Sequence, residues 1–171
     1  MKPTSVGILV FLVAETEDAV VATGGLRVLP AHGLDTCPPL DVLVVPGGLG
    51  TRAQVDNARL IEWIRERATH LRTLASVCTG SFLLGQAGLL DGLRATTHWR
   101  SLDRMAQTFP SIRVEREQHV VDEGPVLTSA GISAGIDMAL RVVARYHGED
   151  VARATARHME YPYPETNVRR I

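Results

Sequence analysis

Three short apolar runs constrain this chain more than any other feature: residues 6–14, residues 41–45 (DVLVV) and Thr73–Val77 (TLASV). Each is rich in Val, Ile, Leu or Ala and lacks strict alternation, as in strands buried on both faces. Helical periodicity follows the second and third. Over residues 58–71, Leu60, Ile61, Ile64 and Ala68 form an apolar stripe, with Asp56 as the expected cap. Residues 81–87 form a second expected helix, ended by Gly88. Further helices are expected over residues 102–108, stopped by Pro110, over 136–146, capped by Ser133 and ended by Gly148, and over 151–159. Residues 20–29 read as a strand with a bulge at Gly24-Gly25, and residues 94–97 as a short strand. Asp122-Glu123-Gly124 joins two strands in a hairpin. Residues 32–39 read as loop, and Tyr161 opens an extended tail.

Strands alternating with helices predict an α/β fold: a flavodoxin-like, doubly wound, mostly parallel sheet with helices on both faces. In such sheets ligands bind beyond the carboxyl ends of the strands. One irregularity stands against the pattern. The first run passes through the polar turn at Glu15, Glu17 and Asp18 into the next strand with no helix between, whereas parallel neighbours need a crossover of about a dozen residues or more. The first βα unit reads as missing.

At 171 residues the chain fits one domain. A net charge of −1 points away from nucleic acid as a partner of this chain, and no run is long enough to suggest a membrane span. Two cysteines with no C-x-x-C pairing indicate a reducing, cytoplasmic setting.

The strongest chemical signal is Ser76-Val77-Cys78-Thr79-Gly80-Ser81. A buried strand ends at Val77 and a helix begins by Ser81, so Cys78 sits on a sharp turn like the serine of a nucleophile elbow. Free N–H groups of the following helical turn favour an anion at the thiol and can hold an oxyanion. The alternative is a buried, inert cysteine. Pro46-Gly47-Gly48 ends the neighbouring strand, and its N–H groups are candidates to complete that oxyanion site.

Other signals are weaker. Gly48-Leu49-Gly50-Thr51-Arg52-Ala53 fits G-x-G-x-x-A, but the acidic residue a dinucleotide site needs some twenty positions on is absent. His98 is a candidate base or polar neighbour for Cys78, or else a ring hydrogen-bonded beneath Trp99; the residues leave both open. Asp137, in the first turn of its helix, suits the helix dipole. Cys37, before Pro38-Pro39, reads as inert. No histidine pattern has metal-ligand spacing.

Val44-Val45-Pro46-Gly47-Gly48, taken with Ala75-Ser76-Val77-Cys78-Thr79-Gly80-Ser81, resembles the ThiJ/PfpI superfamily, the class I glutamine-amidotransferase-like fold. The segments from Gly88 to Trp99 and from Thr128 to Asp137 are similar to a narrower branch, which holds isocyanide hydratases and the ligand-sensing domains of AraC-type regulators. The likeness covers residues 12–161 and implies a single such domain over residues 1–171. It implies Cys78 as the nucleophile attacking an isocyanide carbon, with Thr79 hydrogen-bonding near the thiolate and the backbone at Gly48 and Thr79 lining the site. It further implies a small-molecule substrate, no cofactor and a homodimer. The protease-like branch carries a His where Thr79 stands, which argues against a peptidase. Hydratases also carry an Asp in a D-x-x-G-P-like stretch after the first strand. Here Val10-Phe11 runs directly into Leu12-Val13-Ala14-Glu15, as an internal deletion of the first helix would leave it, with Glu15, Glu17 or Asp18 as stand-ins for the acid. The alternatives are a non-catalytic sensor domain and a stress-type thiol protein of the same superfamily.

Overall fold

The computed structural model describes residues 7–170. Two compact units divide the chain between Pro39 and Leu40.

In the first unit β1 (Val13–Ala14) pairs in parallel with β4 (His32–Gly33), while β2 (Val20–Val21) and β3 (Arg27–Val28) form an antiparallel hairpin. The expected bulged strand over residues 20–29 is therefore a hairpin. Gly25 adopts φ +84° and donates its N–H to the Ala22 carbonyl, closing a turn that reverses the chain. Residues 32–39, expected as loop, contribute β4. The expected first strand begins at Val6, outside the described residues, and only its last two residues are strand. Leu9 is 85% and Val10 80% exposed rather than buried. The Leu12 carbonyl accepts from the Ala31 and His32 N–H groups. As expected, no helix interrupts this unit among its described residues.

The second unit is built on a four-stranded sheet, ordered β5 (Val42–Val45), β6 (Thr73–Val77), β10 (Val126–Ser129), β9 (Val120–Glu123). The first three are parallel, and β9 returns antiparallel through the hairpin at Gly124. A second parallel pair joins β7 (Arg94–Ala95) to β8 (Arg113–Val114). One layer packs α2 (Ala58–Ala68), α3 (Ser81–Gln86) and α4 (Leu102–Thr108) on the sheet through Ile64, Leu84, Met105 and Leu74. The opposite face, through Ala75 and Leu127, packs on Met138 of α5 (Ala134–His147). Helix α6 (Glu149–His158) lies against α5. Neighbouring residues on a strand face opposite sides, so Leu74 and Ala75 feed the two layers, and helices cover both faces as the pattern required.

Two local differences concern capping. Asn57, not Asp56, caps α2 by accepting the Leu60 N–H at 3.2 Å. Ser133 occupies the N-cap position of α5 without a side-chain bond. A short helix α1 (Thr51–Gln54), absent from the sequence reading, follows Gly50.

Candidate active site

In-register pairing of Val45 with Ser76 and of Ser129 with Val77 brings three loops to one edge of the sheet. They are Pro46–Gly48, Cys78–Thr79 and the turn from Ala130. Cys78 follows β6, the middle of the three parallel strands, and opens a 3-10 turn (Cys78–Gly80) that runs into α3.

Its backbone is held from three sides. The Cys78 N–H donates to the Ala130 carbonyl at 3.1 Å. Its carbonyl accepts from the hydroxyls of Ser81 at 3.0 Å and Thr97 at 2.9 Å. These bonds keep Cys78 at φ +56°, a left-handed conformation that costs a residue with a β-carbon about 1–2 kcal/mol. The thiol-bearing residue is only partly buried.

Glycines let the loops meet. A β-carbon on Gly47 would lie 2.7 Å from both Cys78 Cβ and Thr79 N. One on Gly80 would run into the carbonyl oxygens of Val45 and Pro46, and one on Gly131 into the ring of His98. The Pro46–Gly48 loop is thereby packed directly against the backbone of Cys78 and Thr79.

The Thr79 hydroxyl ties the first two loops. Its Oγ1 accepts from the Gly48 N–H at 3.0 Å and lies 3.3 Å from the Gly48 carbonyl. The Thr51 hydroxyl stands 3.0 Å from Thr79 Oγ1 and 2.8 Å from the Gly48 carbonyl, its single proton shared between these two acceptors. The hydroxyl expected beside the thiolate thus spends its hydrogen bonds on Gly48 and Thr51, and the Gly48 N–H is satisfied by it. His98 Nδ1 accepts from the Arg100 N–H at 3.3 Å, and its ring stacks on Trp99 at 5.8 Å. Among the described residues no hydrogen bond joins His98 to Cys78; what joins that loop to the cysteine is the preceding Thr97.

Gly47, Gly48, Cys78 and Thr79 are thus assembled as one cluster, with His98 on the next loop. Thr51, Thr97 and Ala130 belong to it too, residues to which the sequence alone assigns no part in the site. A cleft of about 380 Å³ opens beside Thr51, bordered by Arg52, Phe82 and Arg104. No group of three or more acidic, His or Cys side chains suited to a metal occurs among the described residues.

A strained cysteine at a strand–helix elbow, on the middle strand of a parallel sheet covered on both faces, defines a cysteine-elbow α/β protein. The model of the DJ-1/PfpI family matches residues 4–145, and the chain belongs to that family, with its flavodoxin-like fold. The chain is similar to the isonitrile hydratase of Pseudomonas putida, 41% identical over 142 residues that cover 83% of this chain and 61% of that protein. It is also similar to the HTH-type transcriptional regulator CdhR of Pseudomonas aeruginosa, 38% identical over 133 residues, 78% of this chain and 39% of the regulator. The crystal structure of a ThiJ/PfpI family protein from Pseudomonas syringae superposes with a TM-score of 0.82 at 36% identity, over 92% of this chain and 65% of that one. The chain therefore spans less than two thirds of each of these relatives. Among the described residues no helix is long and apolar enough to cross a membrane.

Proposed function

We propose that this chain carries an isonitrile-hydratase-type activity, adding water to an isocyanide to give an N-substituted formamide with Cys78 as the nucleophile. One observation carries the reading: the cysteine is fixed at φ +56° on the elbow in a chain 41% identical to an isonitrile hydratase. Cys78 Sγ bonds to the terminal isocyanide carbon, and the thiol proton ends on that carbon, giving R–N=CH–S–Cys78. Water adds to the same carbon and passes one proton to nitrogen. The C–S bond then breaks, the hydroxyl proton returns to sulfur, and R–NH–CHO leaves. One water is consumed and the thiol is regenerated. Backbone at Gly48 and Thr79 borders the reacting carbon in this scheme. Incubation with an aryl isocyanide tests it. The formamide is expected from the protein and not from Cys78→Ser; no turnover by protein with a titratable free thiol overturns the reading.

A second reading, a non-catalytic ligand-sensing domain, is favoured by the Gly48 N–H, which already donates to Thr79, and by the similarity to regulators. A small molecule that raises the melting temperature without being consumed supports it.

A further inference from the structure

A second cluster lies on the α5 side of the same sheet edge, and the proposed chemistry leaves it unused. Asp137, in the first turn of α5, is 2% exposed. Its Oδ1 accepts the Tyr161 hydroxyl at 2.7 Å, and its Oδ2 accepts from the Arg170 guanidinium. His119 Nε2 stands 3.4 Å from the same Oδ2. The His119 ring is 4% exposed, yet neither of its nitrogens has a hydrogen-bond partner among the described residues. Arg169 uses three of its five donors on neutral acceptors: the Arg116 carbonyl at 2.6 Å, the Thr97 carbonyl at 3.2 Å and the Thr96 hydroxyl. No carboxylate pairs with it among the described residues.

His119, Arg169 and Arg170 line a cleft of about 200 Å³ together with His98, Trp99 and the residues from Ala130 to Ser133. Burial is the first cause lowering the pKa of both His119 and Arg169. Asp137 pairs with Arg170, whereas Arg169 has no paired carboxylate among the described residues and only the more distant charges of Glu117 and Glu115 act on it. A cation so placed is costly without a counter-ion. The lining also has apolar members, the half-exposed Trp99 and Ile132, which is 81% exposed. The volume admits on the order of six water-sized groups, the scale of a small ligand. One lining guanidinium without a paired carboxylate also suits a singly charged carboxylate better than a phosphate, which carries roughly two negative charges.

We propose that this cleft binds a small organic carboxylate, its charged end on Arg169 and Arg170 beside His119, its apolar end on Trp99 and Ile132. Cys78 does not line the cleft, but Ala130, whose carbonyl accepts the Cys78 N–H, does. The site is therefore separate from the thiol and shares a wall with the turn that holds it.

Propionate and benzoate, titrated against propionamide and benzamide as neutral isosteres and followed by amide chemical shifts, test the site. Saturable binding is expected for the acids, at least tenfold tighter than for the amides. Arg170→Gln is expected to weaken it at least tenfold and Trp99→Ala at least threefold, while Cys78→Ser leaves it unchanged. Arg170→Gln removes a partner of buried Asp137; should it fail to fold, Trp99→Ala on the half-exposed ring decides. Absence of saturable binding, equal binding of acid and amide, or wild-type affinity in the folded variants overturns the proposal. Loss of binding in Cys78→Ser places the ligand at the thiol and overturns it too. Isocyanide turnover is measured separately and does not bear on the result.

Discussion

Gly47 and Cys78 are packed so closely that a β-carbon on the glycine would stand 2.7 Å from the cysteine Cβ. The other atoms in the way, Thr79 N and the Val77 carbonyl oxygen, are backbone and cannot rotate aside. Gly47→Ala therefore has to push β5's loop off the elbow. It is expected to cost ~2 kcal/mol or more and to lower the melting temperature by roughly 5 °C or more. Alanine tolerated without a change in melting temperature would show that the loop has slack.

Ile132 adopts φ +51° although it is β-branched, and its side chain is 81% exposed. Strain in the backbone is thus not offset by burial of the side chain. Replacing it with glycine is expected to stabilise the protein by roughly 0.5–1 kcal/mol, the relief of strain exceeding the extra freedom of glycine in the unfolded chain. Urea denaturation of Ile132→Gly reads this directly, and a destabilised variant would contradict it.

Thr79→Val removes the oxygen that accepts from the Gly48 N–H and the Thr51 hydroxyl. Gly48 is exposed, so water takes over its N–H and the stability change is expected to stay under ~1 kcal/mol. The loop loses its tether, however. Amide exchange at Gly48 is expected to accelerate severalfold in Thr79→Val and to stay near wild type in Thr79→Ser.

His119 has a pKa below its ordinary 6.5, first through burial, then through the charges of Arg170, Arg169 and Arg141, with Asp137 opposing them. Below pH 6.5 the unfolded chain takes up a proton that the folded chain resists. Stability from this group is therefore full above pH 6.5 and declines as pH falls toward the lower folded value. The melting temperature of the wild type is expected to drop through this window, and more steeply than that of His119→Gln. Parallel pH profiles would contradict this account.

Much of the second unit was legible because its elements declare themselves locally. Thr73–Val77 and Leu102–Thr108 have the bounds expected from a short buried-strand run and from a helix stopped by Pro110. Residues 20–29 were ambiguous because two adjacent glycines permit either a bulge or a reversal, and only the positive φ of Gly25 separates them. The apolar run through Leu9 and Val10 calls for burial, but hydrophobicity names no partner, and these side chains are exposed. Cys78 could be placed from its own strand and helix. The atoms that hold it belong to Ser81, Thr97 and Ala130, and two of these come from distant segments that meet only through sheet register. Asp137 could be assigned to a first helical turn, but its partners Tyr161 and Arg170 arrive from the far side of α6 in sequence.

The hydrogen bonds from Cys78 to Ala130 and from Thr97 to Cys78 also have a meaning in time. Parallel strands drawn from remote parts of a chain pair slowly, since loop closure must come before contact. The elbow at Cys78 lacks its full set of anchors until β10 has docked beside β6 and brought Ala130 into place. The rate of alkylation of this thiol during refolding is accordingly expected to change when β10 docks beside β6, and so to report on completion of the sheet.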